Sequence, residues 1–196
     1  MDITKAVFVR SAASERDFPR DSGKRIIFAG KSNVGKSSTI NRIFQKKNFA
    51  KVSASPGKTI YVNLFRLEDK YWFVDLPGYG YAKTSKAEKE RFSKLIVSFL
   101  SYDNDKIARF YLIVDSRHRP TQLDVQMMEW IRAYGLPFTV IANKTDKLKP
   151  REIEENAALI RETLGLEENE RLLMFSAEKG TGRLDIIKDI ETALEG

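Results

Sequence analysis

The sequence predicts an α/β chain: a mixed, mostly parallel sheet with one antiparallel edge hairpin and helices on both faces. Three observations carry this. Short β-rich runs alternate with longer helical patterns along the chain, as in proteins built around a parallel sheet. Several of the runs, IIFA, FYLIV and FTVIA among them, are almost continuously apolar, as strands covered on both faces are. Two neighbouring runs are separated by only Glu68, Asp69 and Lys70, a gap that permits a hairpin and forbids a helical crossover.

Taken in order, strands are expected at Ala6–Arg10, Arg25–Ala29, Tyr61–Leu67, Tyr71–Asp75, Arg109–Asp115, Pro137–Ala142 and Leu172–Ser176. The helices between them follow from spacing. Ile40, Ile43 and Phe44 share a face, and Phe92, Leu95, Ile96, Phe99 and Leu100 recur at i, i+3, i+4 and i+7. Leu123, Met127, Trp130, Ile131 and Tyr134 make a third stripe, and Ile153, Ala157, Ile160 and Leu164 a fourth. Ile186, Ile190, Ala193 and Leu194 close the chain. All of these residues are expected in the core, with no chemistry assigned.

At 196 residues the chain fits one domain, residues 1–196, with no repeat, low-complexity tract or linker to mark a second. A charged fraction of 31% against 42% hydrophobic is the balance of a soluble globular protein. No apolar run approaches the ~20 residues of a membrane-spanning helix. The start, MDITKAVFVRSAASERDF, carries charges throughout and does not read as a secretory signal. The absence of cysteine removes disulfides, thiolate nucleophiles and cysteine-bound zinc, and fits a reducing cytoplasm. The net charge of +7 and pI near 9.5 favour polyanionic partners, RNA first among them.

The strongest chemical signal lies where the strand KRIIFA runs into the helical pattern STINRIF. Gly30, Lys31, Ser32, Asn33, Val34, Gly35, Lys36 and Ser37 match the phosphate-loop pattern GxxxxGKS at every fixed position, with Ser38 following. Glycines let such a loop wrap closely, so that consecutive N–H groups face phosphate oxygens. The next helix offers its positive N-terminus to the same anion. Lys36 is expected on the β- and γ-phosphates, and the Ser37 hydroxyl on magnesium. The pattern makes this a P-loop NTPase.

Four further pieces select guanine and a nucleotide-dependent switch. Asp75, Leu76, Pro77 and Gly78 end a strand: the aspartate can hold magnesium through a water, and the Gly78 N–H can reach the γ-phosphate. Asn143, Lys144, Thr145 and Asp146 follow FTVIA. The Asp146 carboxylate can accept from the N1–H and N2–H₂ donors of guanine, a pair that adenine lacks, and a missed pairing of this kind can cost ~10⁴ in discrimination. The Lys144 stem can lie along the base while Asn143 braces the phosphate loop. Ser176 and Ala177, after the last strand, can shape the loop facing the guanine O6. Finally, Gly57, Lys58 and Thr59 lie between the first helix and the hairpin, where Thr59 can place its hydroxyl on magnesium and its N–H on the γ-phosphate.

These pieces in this order resemble the translation-factor-related GTPases of the TrmE-Era-EngA-YihA-septin-like superfamily, and within them the EngB family, also called YihA or YsxC. GKSNVGKSS, SPGKT, DLPGYGYAK, the DSRH after FYLIV, and NKTDK carry the resemblance over essentially the whole chain. Arg119 departs from it, standing where a smaller or apolar residue is expected. The resemblance implies a Ras-like G domain that binds GTP and GDP with magnesium and hydrolyses GTP. It also implies a role in assembly of the large ribosomal subunit, with rRNA as a contact, and in normal cell division and septation. A cytoplasmic monomer is expected.

In Ras-like switches a glutamine just after DxxG orients the attacking water. Tyr79 stands there, so slow turnover by the free protein is expected from Lys36, Thr59, Gly78 and Asn33. Asn33 occupies the position at which related GTPases ligate potassium, which would then neutralise transition-state charge. Lys46, Lys47, Lys51 and Lys58, and Lys83, Lys86, Lys89, Arg91 and Lys94, are candidate rRNA contacts, and His118 is given no catalytic role. Two other readings stay open: a nucleotide-dependent RNA- or ribosome-binding module with incidental hydrolysis, and a P-loop kinase.

Overall fold

The computed structural model describes residues 1–50, 61–80, 85–102 and 104–195, and only the backbone of Lys86, Glu88 and Lys89. Each of the seven expected strands forms: β1 (Val7–Ala12), β2 (Lys24–Gly30), β3 (Val62–Leu67), β4 (Tyr71–Asp75), β5 (Ile107–Asp115), β6 (Phe138–Asn143) and β7 (Leu172–Met174). They share one sheet in the order β1-β3-β4-β2-β5-β6-β7. β2 pairs parallel with β4 and β5, and β6 pairs parallel with β5 and β7. β3 runs against both β4 and β1, so the hairpin is antiparallel as expected and β1 adds one more strand outside it.

The hairpin turn shows why three residues suffice. Glu68 and Asp69 both take positive φ, 54° and 47°, the left-handed pair that a type I′ turn uses. The Lys70 N–H then donates to the Leu67 carbonyl at 3.1 Å and closes the turn.

Alternation along each strand splits the apolar side chains between two cores. Ile26 and Phe28 of β2 enter one core with Tyr111, Ile113 and Phe175, covered by helices α1 (Lys36–Ile43) and α5 (Arg183–Glu195) through Ile40, Ile43, Ile186 and Ile190. Ile27 and Ala29 enter the other with Leu112, Val114 and Val140. Helices α2 (Lys86–Tyr102), α3 (Gln122–Ala133) and α4 (Pro150–Leu164) cover that side through Ile96, Phe99, Met127, Ile131 and Ile160. Each large side chain buried this way contributes roughly 1.5–3 kcal/mol relative to exposure.

Local chemistry sets the helix ends. In α3 the Thr121 N–H and hydroxyl both donate to Asp124 Oδ2 at 2.7 Å, so the cap residue and the first turn are fastened to each other. In α4 Pro150 takes the first turn, and Gly165, at φ 61°, ends the helix in the left-handed region. Leu123 departs from its expected core place. It lies in the first turn of α3, is 39% exposed, and packs beside Gly80, where a Cβ would stand 2.9 Å from its Cδ1.

One polar cluster reaches from the surface at Arg171 to the interior at Asp189. Asp189 of α5 is fully buried and accepts from the Tyr111 hydroxyl at 2.7 Å, the Thr139 hydroxyl at 2.8 Å and Arg171 Nη1 at 2.8 Å. Burial, and then the Asp189 charge, push the Tyr111 phenol far above its ordinary pKa, so it remains a donor.

Candidate functional site

The parallel strands β2, β4, β5 and β6 end on one edge of the sheet, and the predicted motifs leave from those ends. Open α/β sheets bind ligands at such an edge. β2 finishes at Gly30, the loop 31–35 follows, and α1 begins at Lys36. Asn33 and Gly35 take positive φ, 70° and 91°, and bend the loop back over the helix start. Close approach explains Gly35 further, since a Cβ there would lie 2.4 Å from Asn143 Nδ2. Lys36, Ser37 and Ser38 occupy the first turn of α1.

The DxxG segment lies against this loop. A Cβ on Gly78 would sit 3.2 Å from Ser32 Oγ. The Tyr79 carbonyl accepts from the Ser32 N–H at 2.8 Å and from its hydroxyl at 3.0 Å. Leu76 packs in the core, and its N–H reaches the Phe28 carbonyl at 2.9 Å. Asp75, 3% exposed at the end of β4, forms an ion pair with Lys36 and accepts from Asn63 Nδ2 at 3.2 Å. Asp75 and the Ser37 hydroxyl are hard oxygen donors. Magnesium takes one or two such protein ligands beside phosphate and water, so this set fits an ion shared with a phosphate. Among the described residues no group of three or more His, Cys, Asp or Glu could hold a metal by itself.

The base-side residues gather a few ångströms away. Asn143, 2% exposed at the end of β6, joins the two halves: its Nδ2 donates to the Val34 carbonyl at 2.9 Å, and its Oδ1 accepts from the Ala177 N–H at 3.0 Å. The Thr145 N–H donates to the Phe175 carbonyl at 3.1 Å, fixing the loop after β6 to the loop after β7. The Ser176 hydroxyl donates to Asp146 Oδ1 at 2.7 Å and accepts from the Lys179 N–H at 3.0 Å. That hydroxyl is the main reason the Asp146 carboxyl is held below its usual pKa, with Lys147 assisting. Asp146 therefore stays an acceptor at neutral pH.

The phosphate-loop, DxxG, NKTD and Ser176–Ala177 residues thus come together on one edge. Gly57, Lys58 and Thr59 lie outside the described residues, as do Lys51 and Lys83. Tyr79 turns its ring away from the phosphate loop: it is 6% exposed, and its hydroxyl donates to Asp124 Oδ1 at 2.7 Å. Burial and the Asp124 charge push its pKa well up. Lys46 is engaged internally, on the Ala6 carbonyl and 5.0 Å from the Phe49 ring centroid, while Lys47, Arg91 and Lys94 are exposed. His118 is exposed. Sequence reasoning missed Arg42, whose Nε donates to the Ala177 carbonyl at 2.7 Å, and Asp115, which holds Lys144. The sequence marked Asp115 only as the first residue of DSRH at a strand end, with no role in the site.

Comparison with known proteins agrees with this geometry. Residues 25–144 match a family described as 50S ribosome-binding GTPase. A probable GTP-binding protein EngB of Clostridium beijerinckii is 43% identical, with 97% of this chain and 96% of that protein covered. Its counterpart in Anoxybacillus flavithermus is 42% identical, with 93% and 94% covered. The crystal structure of a probable GTP-binding protein EngB superposes with a TM-score of 0.75 at 26% identity, covering 87% of this chain and 98% of that one. Era, in complex with MgGDPNP and a segment of 16S ribosomal RNA, shares the fold at a TM-score of 0.59 and 21% identity, covering 88% of this chain and 56% of that one. With its phosphate loop, its DxxG segment and its NKTD loop on one sheet edge, and with relatives matched nearly end to end, the chain belongs to the EngB family of GTP-binding proteins.

Proposed function

We propose that this protein is a single-domain guanine-nucleotide switch that binds GTP and GDP with magnesium and hydrolyses GTP slowly. The observation that carries the reading is Asn143, one side chain hydrogen-bonded both to the phosphate loop and to the loop facing the base. A ligand long enough to meet both must carry phosphates at one end and a donor-bearing base at the other. Asp146 accepts from the base, with the Lys144 stem along it and Ala177 beside it. Lys36 and the N–H groups of the loop from Gly30 to Ser38 take the phosphates. Ser37 and Thr59 would hold magnesium directly and Asp75 through a water, and the ion would supply positive charge to offset that of the phosphates.

Slow turnover follows from Tyr79. Its hydroxyl is committed to buried Asp124, so no side-chain group from that position orients a water. Asn33, exposed in the phosphate loop, would ligate potassium. Equal single-turnover rates in potassium and sodium buffers would remove that role, and rapid hydrolysis by the free protein would remove the slow-turnover reading.

The cellular role is assembly of the large ribosomal subunit in the cytoplasm, with consequences for cell division and septation, carried out by a monomer. The family match to ribosome-binding GTPases supports it, as does the net charge of +7. Among the described residues no helix is long and apolar enough to cross a membrane. Lys47, Arg91 and Lys94 supply rRNA phosphate contacts that weaken as salt rises. Co-sedimentation with large ribosomal subunits tests this: pelleting should depend on GTP and fall with salt. Pelleting indifferent to both would overturn it.

A further inference from the structure

Asp115 ends β5 beside the nucleotide motifs yet belongs to none of them. Its Oδ2 accepts from Lys144 Nζ at 2.8 Å, and the same ammonium donates to the Asn33 carbonyl at 2.7 Å. Arg117 braces the carboxylate from the other side, with Nε 2.9 Å from Oδ1, Nη2 2.8 Å from Oδ2 and the backbone N–H 3.1 Å from Oδ1. Burial alone would raise the Asp115 pKa. The hydrogen bonds from Arg117 and Lys144 prevail and hold it well below the usual carboxylate range.

A lysine stem is flexible, and a base cannot rest on a wall that wanders among rotamers. Two restraints act on Lys144. Its backbone sits at φ 77°, which sets the direction in which the side chain leaves. Its ammonium is anchored at two points, one on the phosphate loop and one on β5. The stem between backbone and ammonium is therefore held as a fixed apolar edge. Of the two anchors, only Asp115 brings a compensating charge.

We propose that Asp115, braced by Arg117, is a positioning residue of the nucleotide site: it fixes the Lys144 ammonium so that the lysine stem forms one wall of the purine pocket. The inference rests on the guanine-nucleotide reading given above. A purely structural alternative has Asp115 tying down the loop after β5 and nothing more.

A double-mutant cycle separates them. GDP is titrated calorimetrically into the full-length wild type, Asp115→Ala, Lys144→Ala and the double variant. Asp115→Ala is expected to weaken GDP binding roughly 10- to 100-fold, the range for a lost hydrogen bond between charged groups. In the Lys144→Ala background the same change should cost less than about twofold, since nothing remains to position. Wild-type affinity in Asp115→Ala, or a loss that adds in full to that of Lys144→Ala, overturns the proposal. Should Asp115→Ala not fold, Asp115→Asn enters the same cycle under the same criteria. A wild-type chain that takes up no GDP would instead sink the nucleotide reading itself.

Discussion

Replacing Asn143 by alanine tests the join between phosphate loop and base loops most directly. The side chain is buried and makes two hydrogen bonds, 2.9 Å to the Val34 carbonyl and 3.0 Å from the Ala177 N–H. Truncation leaves one acceptor and one donor unpaired, each costing about 1–3 kcal/mol where water does not reach. Ala177 is only partly buried, which places the sum at about 2–4 kcal/mol. At this chain length about 2–4 °C of Tm accompanies each kcal/mol, so Tm should fall by roughly 5–15 °C. Thermal unfolding with and without GDP then isolates the binding part. GDP at one hundred times the wild-type Kd adds about 2.7 kcal/mol to the wild type, but only about 1.4 kcal/mol to a variant that binds tenfold more weakly. We expect the GDP-induced gain to shrink at least that far. An Asn143→Ala protein with unchanged Tm and an undiminished GDP gain would refute the idea that this side chain joins the two loops.

Asp146→Asn should shift binding from guanine to xanthine nucleotides, because the amide offers one acceptor and one donor where xanthine offers N1–H and a 2-keto oxygen; competition titration should show guanine affinity lower by ~10²-fold or more. Asp189→Asn takes the charge from a fully buried carboxylate that accepts from Tyr111, Thr139 and the half-exposed Arg171, so it should cost roughly 1–3 kcal/mol in chemical denaturation while leaving the GDP-induced stabilisation intact. Acid should destabilise the protein through Asp115 and Asp146, whose folded pKa values lie below the unfolded one. The unfolded chain then binds more protons, so their contribution is complete above the unfolded pKa of about 3.9 and is lost as pH falls below it. Asp115→Asn should flatten that limb of a Tm-against-pH curve, and an unchanged limb would contradict the assignment.

Strand positions were legible because burial on both faces leaves nearly unbroken apolar runs, as in FYLIV, and because a three-residue gap admits only a hairpin. The place of β1 outside β3 was not legible. Pairing across an edge leaves no mark in a six-residue strand whose Val7, Phe8 and Val9 are exposed. In the site, GKSNVGKS and NKTD could be read because backbone and base chemistry demand particular residues at fixed spacing. Arg42 and Asp115 could not, since each acts through partners distant in sequence: Arg42 of α1 reaches Ala177, and Asp115 reaches Lys144. Leu123 misled, because helical periodicity reports a face and does not say how far along the helix that face stays covered.

The carboxylate of Asp124 serves two masters. One oxygen fastens the cap of α3 through Thr121, and the other carries the Tyr79 hydroxyl. Tyr79 in turn gives its carbonyl to Ser32, so three backbone segments converge on a single phenol and its acid. A displacement of Tyr79 therefore pulls on the same carboxylate that fastens the start of α3.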